Sequence, residues 1–380
     1  MKKVFLTLAA ISALYYGQAQ DGNNICVWNA MNTYNTGGGA EELERAIKCA
    51  DEAAVHEVTA PKAKTWFYRA QLYTLIFQNK DLKKMYGNAG LEAVKAFKKL
   101  YDINDPKFRD WEDVQNYAIP LATSLFNEGV DQFQSKNYAQ AYDFFYSIKD
   151  LNKVIEGKGK KSTIDLPTAL KNAAISAENS GNAAGAMAVY KDWIATAPDP
   201  NAYYRLSDAQ KKAGQRDESK KTIDEAIAKY PKDANLLVGK INFFLEDSNY
   251  TAALSYVNNL IEVEPKNDGA LFIKGLAFEK LGNEDSVVYY YKKAAEVNPK
   301  NDKAWNNLGA FYVNKTVPII NEMNNLGNTA ADTKRYEELK KTVKELYLKG
   351  KPYLEKALEA NPDDARTKQI LTKINLYTGE

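Results

Sequence analysis

The chain has 380 residues, 45% of them hydrophobic and 26% charged, with 51 Lys plus Arg against 49 Asp plus Glu. Without Lys2 and Lys3, which fall in an N-terminal segment set apart below, 49 charges of each sign remain. That balance, with no basic block, argues against nucleic acid or an anionic membrane as the main ligand.

Lys2 and Lys3 precede an apolar run from Val4 to Tyr16, followed by Gly17, Gln18 and Ala19. Residues 1–20 read as a secretory signal peptide cleaved after Ala19 or Gln20. The run is shorter than the ~20 apolar residues of a membrane span. Cys26 follows Asn23, Asn24 and Ile25 rather than lipobox residues. The mature chain is therefore expected to be exported and soluble.

Cys26 and Cys49 are the two cysteines, placed nearly symmetrically about Gly37, Gly38 and Gly39. A glycine turn joining helices near Ile25 to Tyr34 and Glu41 to Ala54 would set them face to face. In an oxidising compartment they could then form a disulfide. The alternative is two small buried thiols that never meet.

In KTWFYRAQLY, Trp66, Ala70 and Tyr73 share one helix face. The matching second helix carries Ala93, Phe97 and Leu100, with extra residues around Asn79 to Asn88 expected as a longer helix end plus a loop. A third hairpin fits Ala122 to Lys153, packing through Leu125, Gly129, Tyr138, Ala141, Phe145 and Ile148. EGKGKKSTID then breaks the periodicity. The segment 156–166 reads as a linker between N-terminal hairpins over 21–155 and a C-terminal array over 167–380, with Asp165 and Pro167 marking a helix start.

Hairpins follow at 167–199, 200–233, 234–267 and 268–301, and the pairs Tyr230-Pro231, Glu264-Pro265 and Asn298-Pro299 recur every 34 residues. Such a period predicts an all-α fold: a right-handed superhelical solenoid of antiparallel helix hairpins. In the last repeat, AWNNLGAFY opens normally but PYLEKALEANPDD arrives 29 residues late. This predicts an elongated C-terminal hairpin over 302–362. Tyr336, Leu339, Val343, Leu346, Gly350, Tyr353 and Ala357 would form its seam against Ile319, Ile320, Met323 and Leu326. Pro318 is expected to kink the first arm, and Arg366 to Tyr377 to cap the array.

Trp305, Leu308, Gly309 and Tyr312 give the W-x2-L-G-x2-Y spacing, and the chain resembles the tetratricopeptide-repeat family over nearly all its mature length. With its signal peptide it is similar to exported repeat proteins of the bacterial envelope, which implies a periplasmic or envelope-associated protein. The resemblance further implies recognition of a protein or peptide by a concave groove lined by the first helix of each hairpin. In the family's register that groove would include Asn201, Tyr204 and Asp208, then Asn235, Val238 and Asn242, then Phe272, Leu276 and Glu279, and finally Lys303 and Asn306. Lys303 and Asn306 are similar to parts of a carboxylate clamp, but Gly269, Phe272 and Leu276 stand where its other polar members would be needed.

Little points to catalysis. His56 is the one histidine, and the chain lacks the H-E-x-x-H, C-x-x-C, G-x-S-x-G and phosphate-loop patterns. No cofactor or metal is implied. The expectation is a non-enzymatic exported scaffold that binds a protein partner through the groove and the C-terminal hairpin. The alternative is a glycan or small-ligand binder, which the 25 tyrosines and five tryptophans would suit.

Overall fold

A computed structural model describes residues 22–109, 112–157 and 160–379. The expected signal peptide lies outside the described residues, as do residues 158 and 159 of the expected linker. All regular structure among the described residues is helical, and the chain divides into two compact units, 1–215 and 216–380.

In the first unit the glycine turn, with Gly37 at φ 107°, joins α1 (22–35) to α2 (Ala40–Val55). Only glycine adopts that φ without strain. Val27, Ala30 and Met31 from α1 meet Leu43, Ala46 and Ala50 from α2 in one core. A disulfide joins Cys26 to Cys49 across the turn, with Cα atoms 6.1 Å apart.

Helices α3 (Ala63–Gln78) and α5 (Ala89–Ile103) form the next hairpin through Phe67, Ala70, Ala93 and Phe97. Trp66 fixes the entry to α3 by donating its Nε1–H to the Ala60 carbonyl at 2.7 Å. Arg69, where the motif has leucine, pairs with Asp51 and with Glu92 at 3.2 Å and lies 4.7 Å over the Tyr73 ring. The extra residues after Gln78 do not lengthen α3. They form a separate helix, α4 (Lys80–Met85), because the Asn79 side chain caps it by accepting from the Asp81 and Leu82 amides, and Leu82 is buried.

After the short α6 (Pro106–Arg109), α7 (Glu112–Gln134) begins ten residues before Ala122 and contains Pro120. It packs on α8 (Tyr138–Glu156), which buries Ala141, Phe145 and Ile148. The described part of 156–166 is tied to α7, since the Thr163 and Thr123 hydroxyls lie 2.7 Å apart and Ile164 packs on the core. Asp165 then caps α9 (Leu166–Asn179), accepting from the Thr168 amide at 3.0 Å. Helices α10 (Ala183–Thr196) and α11 (Pro200–Lys212) complete the unit.

The second unit runs through α12 (Arg216–Lys229), α13 (Ala234–Glu246), α14 (Tyr250–Val263), α15 (Asp268–Lys280), α16 (Glu284–Val297) and α17 (Asp302–Asn314). Two successive hairpins bring an aromatic of the first helix against one of the second: Phe244 meets Tyr256, tilted, at 5.5 Å and Phe278 stacks on Tyr290 at 5.6 Å. Tyr312 continues the series at 6.1 Å from Tyr353, on the far side of the insertion. Trp305 repeats the anchor of Trp66, donating to the Pro299 carbonyl at 3.0 Å.

Pro318 does more than kink an arm. The chain breaks into α17 and a nine-residue α18 (Thr316–Asn324), with Lys315 between them. Proline cannot donate to the Asn314 carbonyl four residues back, and its ring crowds that carbonyl. The first arm is thus shorter than the sequence suggests. Thr329 and Asp332 form a capping box that starts the 31-residue α19 (Ala330–Ala360). Met323 packs with Leu339 and Val343, but Tyr347 rather than Leu346 joins that cluster, and Tyr336 is 41% exposed. Helix α20 (Ala365–Thr378) covers the end through Leu371 and Ile374 against Leu354.

Candidate partner-binding surface

In the first unit, two cavities lie on the faces of successive first helices. One, of about 230 Å³, is lined by Val130, Phe133 and Gln134 of α7, Phe145 of α8, and Asn172 and Ile175 of α9. The other, of about 270 Å³, lies between α9, α10 and α11 and is lined by Glu178, Arg205, Asp208 and Lys212 together with the small residues Gly181, Ala183, Ala186 and Ala209.

The two cavities occupy the same place in consecutive repeats. Phe145 and Tyr190 are equivalent buried aromatics, and residues twelve before them are Phe133 and Glu178. By the same register Asn172 and Ile175 correspond to Arg205 and Asp208. One repeat thus offers an apolar recess and the next a charged one. In the second, the Tyr190 hydroxyl donates to Glu178 at 2.7 Å. Burial, followed by that bond and by the charges of Glu178 and Asp208, raises the Tyr190 phenol above its ordinary value. Arg205 lies 3.6 Å from Glu178, and Lys212 lies 2.7 Å from Asp208.

The sequence-derived groove residues fall in both units. In the first, Asn201 is exposed, Tyr204 half-buried, and Asp208 lines the charged cavity. In the second, Asn235 and Asn242 are exposed and Val238 packs against the Leu237 and Ile241 cluster. Phe272, Leu276 and Glu279 gather around Tyr291. Phe272 is 5.5 Å from its ring, Leu276 packs against the same cluster, and Glu279 accepts from its hydroxyl at 2.7 Å. Lys303 is exposed, whereas the Asn306 amide donates to Asp364 at 3.1 Å and to Thr367.

Val130, Phe133, Ile175 and Glu178 are not marked by the sequence motif, which is clearest from residue 200 onward. Counting back from Phe145 and Tyr190 would have found them. His56 accepts from the Val58 amide at 3.2 Å, and no cluster of metal-ligating side chains occurs among the described residues. No described helix is long and apolar enough to cross a membrane.

Repeated hairpins with this small-residue and aromatic packing define a helical-repeat protein. Tetratricopeptide-repeat family models match residues 201–233, 269–301 and 290–330, and those stretches are tetratricopeptide repeats. No curated protein matches it. Among solved structures, MamA is 16% identical, covering 51% of this chain and 96% of that one with a TM-score of 0.38. A MamA structure from Desulfovibrio magneticus RS-1 is 20% identical, covering 49% and 97% with a TM-score of 0.37. YrrB, described as a tetratricopeptide-repeat protein with an unusual peptide-binding site, is 15% identical, covering 48% and 89% with a TM-score of 0.38.

Proposed function

We propose that this chain is a non-enzymatic, exported scaffold of the cell envelope that recruits a protein partner through the exposed faces of its first helices, with the α18–α19 hairpin as a second contact surface. The observation that carries this reading is the adjacent pair of cavities on α7, α9 and α11. Neighbouring apolar and charged recesses suit side chains of a protein better than a uniform small ligand. Export is supported by the N-terminal segment Lys2 to Ala19 and by the Cys26–Cys49 disulfide, since such bonds persist in oxidising compartments.

The aromatic faces give less support to a sugar platform. Tyr290, for example, has Phe278 stacked on it and the Lys274 ammonium 4.3 Å from its centroid. The test is in-cell crosslinking of the tagged protein, comparing the unchanged chain with Tyr204→Ala and Ile175→Asp variants. A protein partner captured reproducibly and lost in both variants is the expected result. Capture that is indifferent to both would remove the first-helix faces from the proposal. Recovery of the protein only from the cytoplasm, with both cysteines reactive to thiol reagents, would sink the export part.

A further inference from the structure

The two cavities of the first unit differ in chemistry while sharing a register, and that difference specifies a ligand. This inference rests on the partner-recruiting reading and narrows it. The α7–α9 recess presents Val130, Phe133 and Ile175, with polar atoms only from Gln134 and Asn172. It suits an aliphatic side chain of leucine size. In the α9–α11 recess, charge is sorted by depth. The Glu178 and Asp208 side chains are 34% and 41% exposed, while Arg205 and Lys212 are 50% and 76% exposed.

Glu178 also accepts from the buried Tyr190 hydroxyl, which places that carboxylate toward the buried side of the recess, with the more exposed cations at its rim. The Asp208–Lys212 pair is an exposed pair one helical turn apart, of the kind worth only a few tenths of a kcal/mol, so an incoming cation can replace Lys212 at little cost. The small residues Gly181, Ala183, Ala186 and Ala209 in the lining of the recess leave room for a long side chain.

Ile175 of one recess and Glu178 of the other stand one turn apart on α9, so a short extended segment reaches both. A polyproline II chain advances about 9 Å in three residues and returns its side chain to the same face. We propose that the first unit binds an extended segment of its partner carrying an aliphatic residue and, three positions away, a lysine or arginine. The aliphatic side chain enters the Val130–Phe133–Ile175 recess, and the basic one reaches between Glu178 and Asp208.

The probe is a fluorescein-labelled peptide, Gly-Leu-Pro-Pro-Arg-Gly, titrated into the full chain at low salt and followed by anisotropy. Comparison peptides replace arginine with glutamate, or leucine with alanine. The arginine peptide is expected to bind at least about tenfold more tightly than either. Asp208→Asn, which removes only a surface pair from the fold, should bring the arginine and glutamate peptides close to parity. Ile175→Asp, at a position 36% exposed, should remove the preference for leucine over alanine.

Equal or tighter binding of the glutamate peptide, or an arginine preference that survives Asp208→Asn, overturns the assignment. So does failure of all three peptides to bind at millimolar concentration. In any of those cases a crosslinked partner still lost on Ile175→Asp would leave the recruiting reading standing. A partner indifferent to Ile175→Asp would remove that reading too.

Discussion

Gly309 and Leu354 make the same contact as Gly275 and Tyr291, although 45 residues separate the first pair and 16 the second. A Cβ on Gly309 would lie 2.6 Å from Leu354 Cγ, and one on Gly275 would lie 2.7 Å from Tyr291 Cδ1. The Gly350 carbonyl, 3.0 Å from the same Gly309 site, cannot rotate away. Gly309→Ala should therefore behave as overpacking, which costs about 1–3 kcal/mol, against a helix-propensity gain of about 1 kcal/mol. A net loss of up to about 2 kcal/mol in urea unfolding is expected. A variant as stable as the parent would show that α17 and α19 can separate freely.

The same 29-residue offset holds at the hairpin's end. The Asn361 amide donates to Asp302 at 2.9 Å as the Asn298 amide donates to Asp268 at 3.0 Å. The insertion thus leaves and rejoins the repeat in register. Replacing residues 316–346 with a Gly-Asn turn, the pair found at 181–182 and 282–283, should yield an ordinary final hairpin. The shortened protein is expected to keep a cooperative helical melt. Its midpoint should be modestly lower, because Tyr377 loses the Met323, Leu339 and Val343 cluster against which it packs. Circular dichroism decides the matter, and loss of the cooperative transition would mean that α18 and the first half of α19 are integral to the unit.

The repeat hairpins were legible in the sequence because their contacts recur at fixed spacing. Ala186 with Tyr190 and Val287 with Tyr291 are buried as the pattern requires. Residues answering to local geometry were less legible. Pro318 announces a disturbance, yet whether it bends or breaks a helix depends on what the chain beyond it can pack against. The division after Gln215 leaves no trace in composition, since Gly214-Gln215 resembles the other hairpin turns. The candidate site was half legible: Asp208 was identified, but its neighbours on α7 and α9 lie in repeats whose weaker motifs hid the register.

Those turns supply another prediction. Gly181, Gly214 and Gly282 have φ of 75°, 77° and 74°, and at the equivalent places Lys136 and Ser248 are held at 63° and 54°. In each turn the following amide closes on a carbonyl five residues back, as Asn249 does on Phe244 at 2.8 Å and Asn283 on Phe278 at 3.0 Å. A left-handed conformation costs a residue with a Cβ about 1 kcal/mol more than glycine, partly offset by glycine's freedom in the unfolded chain. Ser248→Gly and Lys136→Gly should each stabilise the protein by about 0.5–1 kcal/mol. A lowered urea midpoint in either would show that the side chain makes a compensating contact.

Tyr73 makes the protein sensitive to alkali. Burial is the main cause raising its phenol from its ordinary value of 10.0 to about 12, with Arg69 opposing the rise and Asp51 adding to it. Because the folded value lies above the unfolded one, the contribution of the neutral phenol is complete below pH 10 and is lost as pH climbs toward 12. Tyr190 and Tyr291 are raised in the same direction, each buried and donating to a glutamate at 2.7 Å. Unfolding free energy should accordingly fall steeply above pH 10, with the unfolded chain releasing more protons than the folded one. Tyr73→Phe removes one such group and only a long hydrogen bond, 3.3 Å to Asp51. Its stability near neutrality should stay close to that of the parent while its decline between pH 10 and 12 becomes shallower. Urea unfolding at half-unit steps from pH 8 to 12 measures the slope, and identical slopes for parent and variant would show that the Tyr73 ring is open to water in the folded state.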